Sequence, residues 1–153
     1  MRHGGSIHTW RARRAPIIAW ATLGLLLGTG CHDFIVLPPE LPPTAQPLTP
    51  LSSYTSWWRA TEDCSGTTGE LTRVRWFVVP ESESFVYRGS RYDGYWWNEV
   101  HWITLASAKV EQGALVRHEM LHDLLGRGDH PAEFFQRRCG AVVYCNAECR
   151  ADG

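Results

Sequence analysis

Apolar and polar positions alternate most clearly at LTRVRWFVVP, residues 71–80, where Leu71, Arg73, Arg75 and Phe77 oppose Thr72, Val74, Trp76 and Val78. A period of two, rich in β-branched and aromatic side chains and stopped by Pro80, predicts a strand. SFVYRG (84–89) predicts a second strand, and after a turn at Asp93-Gly94 the segment from Val100 to Ala106 predicts a third. The period then changes. Ser107 is placed as an N-cap for AKVEQGALVRHEMLHDLLG, in which Val116, Met120 and Leu124 form one apolar stripe and Gly126 supplies the stop. Strands followed by one main helix and a cysteine-rich tail predict an α+β domain, its short antiparallel or mixed sheet packed on that helix.

The N-terminal part has a different pattern. Residues 1–30 carry Arg2, Arg11, Arg13 and Arg14 but no acid, and an apolar run, PIIAWATLGLLLGTG, leads to Cys31. A basic start, a short apolar stretch and small residues before a cut site describe an export signal. The run is shorter than the roughly 20 residues a membrane-spanning helix needs. The approach to Cys31 resembles the lipobox of bacterial lipoproteins, with Leu27 four positions before the cysteine rather than three. That resemblance implies lipidation of Cys31 and an extracytoplasmic protein anchored in a bacterial membrane, periplasmic or at the cell surface. Residues 31–52 follow, with Pro38, Pro39, Pro42, Pro43, Pro47 and Pro50 favouring an extended tether. The folded domain is then expected over residues 53–153, enough for one core.

Charge and cysteine content narrow the classes. All 16 acids lie after residue 30, against 11 of the 15 Lys and Arg, so that part carries about −5 (11 − 16) and lacks the basic surplus of a nucleic-acid binder. With Cys31 set aside, Cys64, Cys139, Cys145 and Cys149 remain as disulfide candidates, with three possible connectivities. A zinc knuckle from Cys139, Cys145 and Cys149 is the rival, but no CxxC pair supports it. The tryptophans, among them Trp57, Trp58, Trp76, Trp96, Trp97 and Trp102, are read as core before a sugar platform, because burial alone accounts for large rings.

The chemistry concentrates in HEMLHDLLGRGDHP, residues 118–131. Residues four apart on a helix share a face, so His118 and His122 can aim both imidazoles at one point. Glu119, rotated by about 100°, borders that point without being forced to ligate. A carboxylate there can take a proton from a water activated by a metal and pass it to a leaving amine.

With this HExxH motif the chain resembles the zincin metallopeptidases, and within them the metzincin-like pattern HExxHxxGxxH/D. The resemblance covers the helix and the turn after it, about 25 residues. It implies Zn²⁺ held by His118, His122 and a third ligand, with Glu119 as general base and then acid, acting on a peptide or protein substrate. The match is partial. Gly126 stands four residues after His122, and Gly128 occupies the place of the third ligand. His130 is the chosen third ligand, stiffened from behind by Pro131, with Asp129 as the alternative and Glu133 or Glu148 as gluzincin-like options. The methionine turn of metzincins has no counterpart, since only Met1 and Met120 occur. Trp102 to Ser107 is the candidate edge for a substrate strand, Tyr144 and His101 are oxyanion candidates, and Asp123 is a candidate partner for an imidazole.

The expected function is therefore a membrane-anchored, extracytoplasmic zinc peptidase. The alternative is a non-catalytic surface lipoprotein that uses a zinc-binding scaffold for a partner or the cell wall. A carbohydrate-binding module built on the tryptophans is a third reading.

Overall fold

The computed structural model describes residues 40–147 and Cys149. The expected export signal, the lipidation at Cys31 and the candidate Glu148 lie outside the described residues.

The described chain is α+β. A four-stranded mixed sheet has the order β1 (Gln46–Pro47), β2 (Arg75–Val79), β6 (Trp102–Ala106) and β5 (Gly94–Trp97). The β2–β6 pair is parallel and the two outer pairs are antiparallel. Between β2 and β5 runs a separate hairpin, β3 (Phe85–Tyr87) and β4 (Ser90–Tyr92), turned through Arg88 at φ 48° and Gly89 at φ 84°. Two consecutive positive φ angles match the right-handed twist of the flanking strands.

Helices cover one face of the sheet and the hairpin covers the other. Tyr54 and Trp58 of α1 (Ser53–Ser65), together with Val116 and Met120 of α2 (Gly113–Leu125), meet Val74, Trp76, Trp96, Ile103 and Leu105. On the opposite face Phe85 and Tyr87 pack with Val79, Trp97 and Ala106. This double cover explains why β6 is apolar without alternation, with Ile103 to Ala106 all buried. Four of the tryptophans, Trp58, Trp76, Trp96 and Trp97, are core residues.

Several boundaries differ from the pattern-based expectation. Leu71–Arg73 form a 3₁₀ turn, and β2 begins only at Arg75 because its partner β6 begins at Trp102. His101, at φ 55°, turns the chain into β6, which shortens the expected strand from Val100. The expected turn at Asp93-Gly94 is a bend at Asp93 that leads from β4 directly into β5. Ser107 does not cap α2; its Oγ accepts from the Ser82 N–H and donates to the Ser82 carbonyl, and α2 starts at Gly113. The strand Trp102–Ala106, read as a candidate edge, lies inside the sheet, and the edge beside α2 is β5. The proline-rich stretch is not wholly a tether. β1 pairs with β2, Leu48 and Leu51 pack on the helix-side core, and Leu41 and Ala45 pack on the hairpin side. The folded unit thus starts upstream of Ser53, with Pro47 on an outer strand where a missing N–H is tolerated.

Two disulfides close the structure, Cys64–Cys139 across 75 positions and Cys145–Cys149 across 4. In the chain-entropy account the long loop is the larger stabiliser, about 4–5 kcal/mol against about 2 for the short one. Cys64–Cys139 ties the end of α1 to a C-terminal cluster in which Leu121, Phe135, Cys139, Val143 and Cys149 are buried together. Among the described residues no helix is long and apolar enough to cross a membrane.

Candidate metal centre

α2 presents His118, Glu119 and His122 within two turns, and Gly126 at φ 63° ends the helix in the left-handed conformation. That cap directs the Arg127 carbonyl back to the helix, where it accepts the Nδ1–H of His122 at 2.8 Å. From the other side the Tyr144 carbonyl accepts the Nδ1–H of His118 at 2.6 Å. A carbonyl oxygen can only accept, so both Nδ1 atoms carry protons and both Nε2 atoms present lone pairs. Those Nε2 atoms lie 3.1 Å apart, and the Nε2 of His130 lies 3.2 Å from that of His118.

Burial, reinforced by the neighbouring His122 and His130, pushes the His118 imidazolium down to about 3, and burial pushes His122 down to about 4. Both rings are therefore neutral at ordinary pH, and bare lone pairs facing at this distance repel unless a cation sits between them. Tetrahedral metal–nitrogen bonds of about 2.0–2.1 Å place ligand nitrogens roughly 3.3–3.4 Å apart, close to what is observed. Carbonyl partners that fix the tautomer and ring orientation are the usual support for metal-binding histidines. The donor set fits a borderline metal ion such as zinc.

The three imidazoles stand on one ring. Phe135 is fully buried, and its centroid lies 4.9–5.0 Å from those of His118, His122 and His130. It is carried by a π-helical segment, Glu133–Arg138, opened by hydrogen bonds from the Phe134 and Phe135 amides to the Pro131 carbonyl. A second aromatic wall comes from Trp96 of β5, which stacks on His122 at 5.9 Å and 9°. Trp96 is held in turn by its Nε1–H to the buried Asp123 carboxylate, 2.8 Å.

Glu119 is 5 % exposed, and burial pushes its carboxyl up to about 8. A cation at the histidines would act in the opposite direction and favour the carboxylate. Its place is made by Gly94, the first residue of β5, where a Cβ would lie 2.7 Å from Glu119 Oε1. Gly94→Ala is expected to leave metal content and fold unchanged while displacing the carboxylate, with a loss of roughly 10–100-fold in any reaction that depends on it. Metal analysis together with kinetics on the same sample checks this, and unchanged kinetics would contradict it.

Glu119, His118, His122 and His130 line a cleft of about 590 Å³, walled by Tyr92, Tyr95, Leu115 and Tyr144. The remaining sequence candidates lie elsewhere. Asp129 is exposed, and both its carboxylate oxygens are engaged by the Arg127 guanidinium. Glu133 pairs with Arg137 four residues on. His101 binds Asp123 at 2.9 Å and is not among the cleft residues, so Asp123 serves His101 and Trp96 rather than a candidate ligand. The Cys139, Cys145 and Cys149 knuckle is replaced by the two disulfides.

Sequence marks Gly94 only as a turn residue and Trp96 only as core, and it does not mark Phe135. Phe134-Phe135 soon after Pro131 was a visible signal, but nothing local says which ring underlies the histidines. Cys149 has a ligand-distance relation to this centre: its sulfur and nitrogens of His118 and His130 all lie within 4.8 Å of one another. In its disulfide that sulfur bears no thiolate charge, which leaves His122 as the better donor beside His118 and His130. No protein-family model matches the chain, and no curated protein or solved structure does either.

Proposed function

We propose that the chain is a zinc-dependent peptidase of zincin type, with His118, His122 and His130 as metal ligands and Glu119 as general base and acid. The observation that carries this reading is the approach of the His122 and His130 Nε2 atoms to that of His118, with the Nδ1–H groups of His118 and His122 tied to backbone carbonyls, beside a buried carboxylate. A metal-binding ornament alone has no use for that carboxylate.

A zinc ion held by His118, His122 and His130 would supply Lewis acidity for the substrate carbonyl and the water. Glu119 takes the water proton at a carboxylate oxygen and returns it to the departing amine. The peptide lies extended along β5, adding a strand to the sheet edge and running past Gly94 and Glu119. Phe135 packs against all three rings and Trp96 stacks on His122, which keeps water off those apolar faces. Phe135 lies against all three imidazoles and would support them as the methionine turn does in metzincins. Lipid on Cys31, the export signal before it and the proline-rich stretch after it would hold this domain at an extracytoplasmic membrane surface, in keeping with its disulfides.

The oxidised full chain is expected to hold one zinc per molecule and to cleave peptides from a random library, losing cleavage to a chelator and regaining it with zinc. His130→Ala is expected to lose metal and activity together, whereas Asp129→Ala keeps both. Metal release by the aspartate change alone would overturn the ligand set, and a zinc-loaded wild type that cleaves no peptide would reduce the reading to a metal-binding scaffold.

A further inference from the structure

We propose that Cys149 is a redox-controlled ligand of this metal centre. Bonded to Cys145 it leaves one coordination position open; as a free thiolate it closes that position and silences the site. The proposal rests on the metal-centre reading above and adds a regulation to it.

Position comes first. The Cys149 sulfur lies within 4.8 Å of nitrogens of both His118 and His130, and Cys149 lines the same cleft as Glu119. Around a tetrahedral ion with bonds of about 2.3 Å to sulfur and about 2.0–2.1 Å to nitrogen, ligand sulfur and nitrogen stand roughly 3.5–3.6 Å apart. The sulfur is thus near ligand distance already, and rotation about its Cα–Cβ bond moves it further once it is released.

The backbone leading to Cys149 is held at Val142 and Tyr144, and Cys149 itself is tied to Asn146, by contacts that do not involve the disulfide. The Tyr144 N–H donates to the Ala114 carbonyl, Arg117 Nε–H donates to the Val142 carbonyl, and the Cys149 N–H donates to Asn146 Oδ1. The Cys145–Cys149 bond spans only 4 positions, against 75 for Cys64–Cys139. Opening so short a loop frees little chain entropy, and the apolar cluster of Leu121, Phe135, Cys139 and Val143 still buries Cys149. Cys145 is half-buried beside the exposed Asn146, which gives a reductant a side to attack, while Cys149 itself is buried.

The chemistry balances with a dithiol as reductant. Its two thiols become a disulfide, the Cys145–Cys149 bond breaks, and two protein thiols take up the two electrons and two protons. The Cys149 thiol then releases its proton to solvent as sulfur binds the metal. A disulfide sulfur is a poor metal ligand and a thiolate a strong one. Three histidines with an open position make a catalytic site, whereas three histidines and a thiolate make the closed four-ligand set of a structural site. In a reducing compartment the protein would thus be loaded but silent, and disulfide formation would switch it on.

Cobalt(II) is the probe, because thiolate ligation adds a sulfur-to-cobalt charge-transfer band that imidazole ligation lacks. Full-length oxidised wild type is expected to bind cobalt without that band. Cys145→Ser, which frees Cys149 while sparing Cys64–Cys139, is expected to show the band, release cobalt more slowly to a chelator, and fall to the peptide hydrolysis of Glu119→Gln. The double change Cys145→Ser/Cys149→Ser is expected to bind cobalt without the band and to regain hydrolysis relative to Cys145→Ser. In wild type the band should appear with a phosphine reductant and vanish on reoxidation. A cobalt-loaded Cys145→Ser protein without the band overturns the proposal, as does one that takes up no cobalt where wild type does. The band with undiminished hydrolysis overturns the silencing. A wild type that binds no cobalt overturns the metal centre itself.

Discussion

Replacing Glu119 by glutamine is expected to lower peptide hydrolysis by about 10²–10⁴-fold while zinc content stays that of wild type. The two side chains have the same shape, so the packing against Gly94 survives, and the 5 % exposed site keeps its volume. What is lost is proton acceptance: a carboxamide cannot take a proton from the attacking water or return it to the amine. Burial already raises the Glu119 carboxyl to about 8, so the carboxylate form depends on a nearby cation, whereas the amide needs none. Zinc retention with loss of cleavage therefore separates proton transfer from metal binding. Cleavage by Glu119→Gln at the wild-type rate would end the assignment of Glu119 as general base.

Phe135→Ala should cost about 3–5 kcal/mol in denaturant unfolding of the oxidised protein and weaken zinc by roughly 10–100-fold in chelator competition. Phe135 is fully buried in the cluster of Leu121, Cys139, Val143 and Cys149, so truncation opens a cavity. The same ring touches all three imidazoles, and the cavity lets them leave the geometry in which their lone pairs meet. Phe135→Leu, which refills most of the space, should recover the larger part of both losses. Lowered stability with wild-type zinc affinity would show that Phe135 fills the core without supporting the ligands.

The α+β class was legible because the period changes from two to that of a helix between the strands and HEMLH, and that change survives in β2, β6 and α2. α1 is weakly encoded in the pattern, although Tyr54, Trp58, Thr61 and Ser65 recur at helical spacing and all are buried. Trp57-Trp58 and the polar residues around them blur that stripe. Strand ends escape the local pattern for another reason. A strand lasts only as long as its neighbour, so Arg75 waits for Trp102, and no local pattern at residues 71–74 encodes that. Edge and centre are hidden from the sequence for the same cause: β6 directly precedes the helical segment, yet β5 and β2 enclose it.

Sequence by itself determined what spacing along one helix can determine. It set His118 and His122 one above the other with Glu119 at their flank, ended that helix at Gly126, and provided four cysteines for two disulfides. Tertiary structure alone decided the rest of the centre. The Tyr144 carbonyl comes from 26 positions away to orient His118, β5 brings Gly94 and Trp96 from before the helix, and Phe135 rises beneath the rings. Asp129 and His130 are adjacent in sequence, but Arg127 engages the aspartate and His130 meets His118. The physical reason is that a helix specifies directions over one or two turns, whereas closing a metal site requires groups to converge from several elements. That convergence is fixed by packing and backbone hydrogen bonds formed only when the chain has folded.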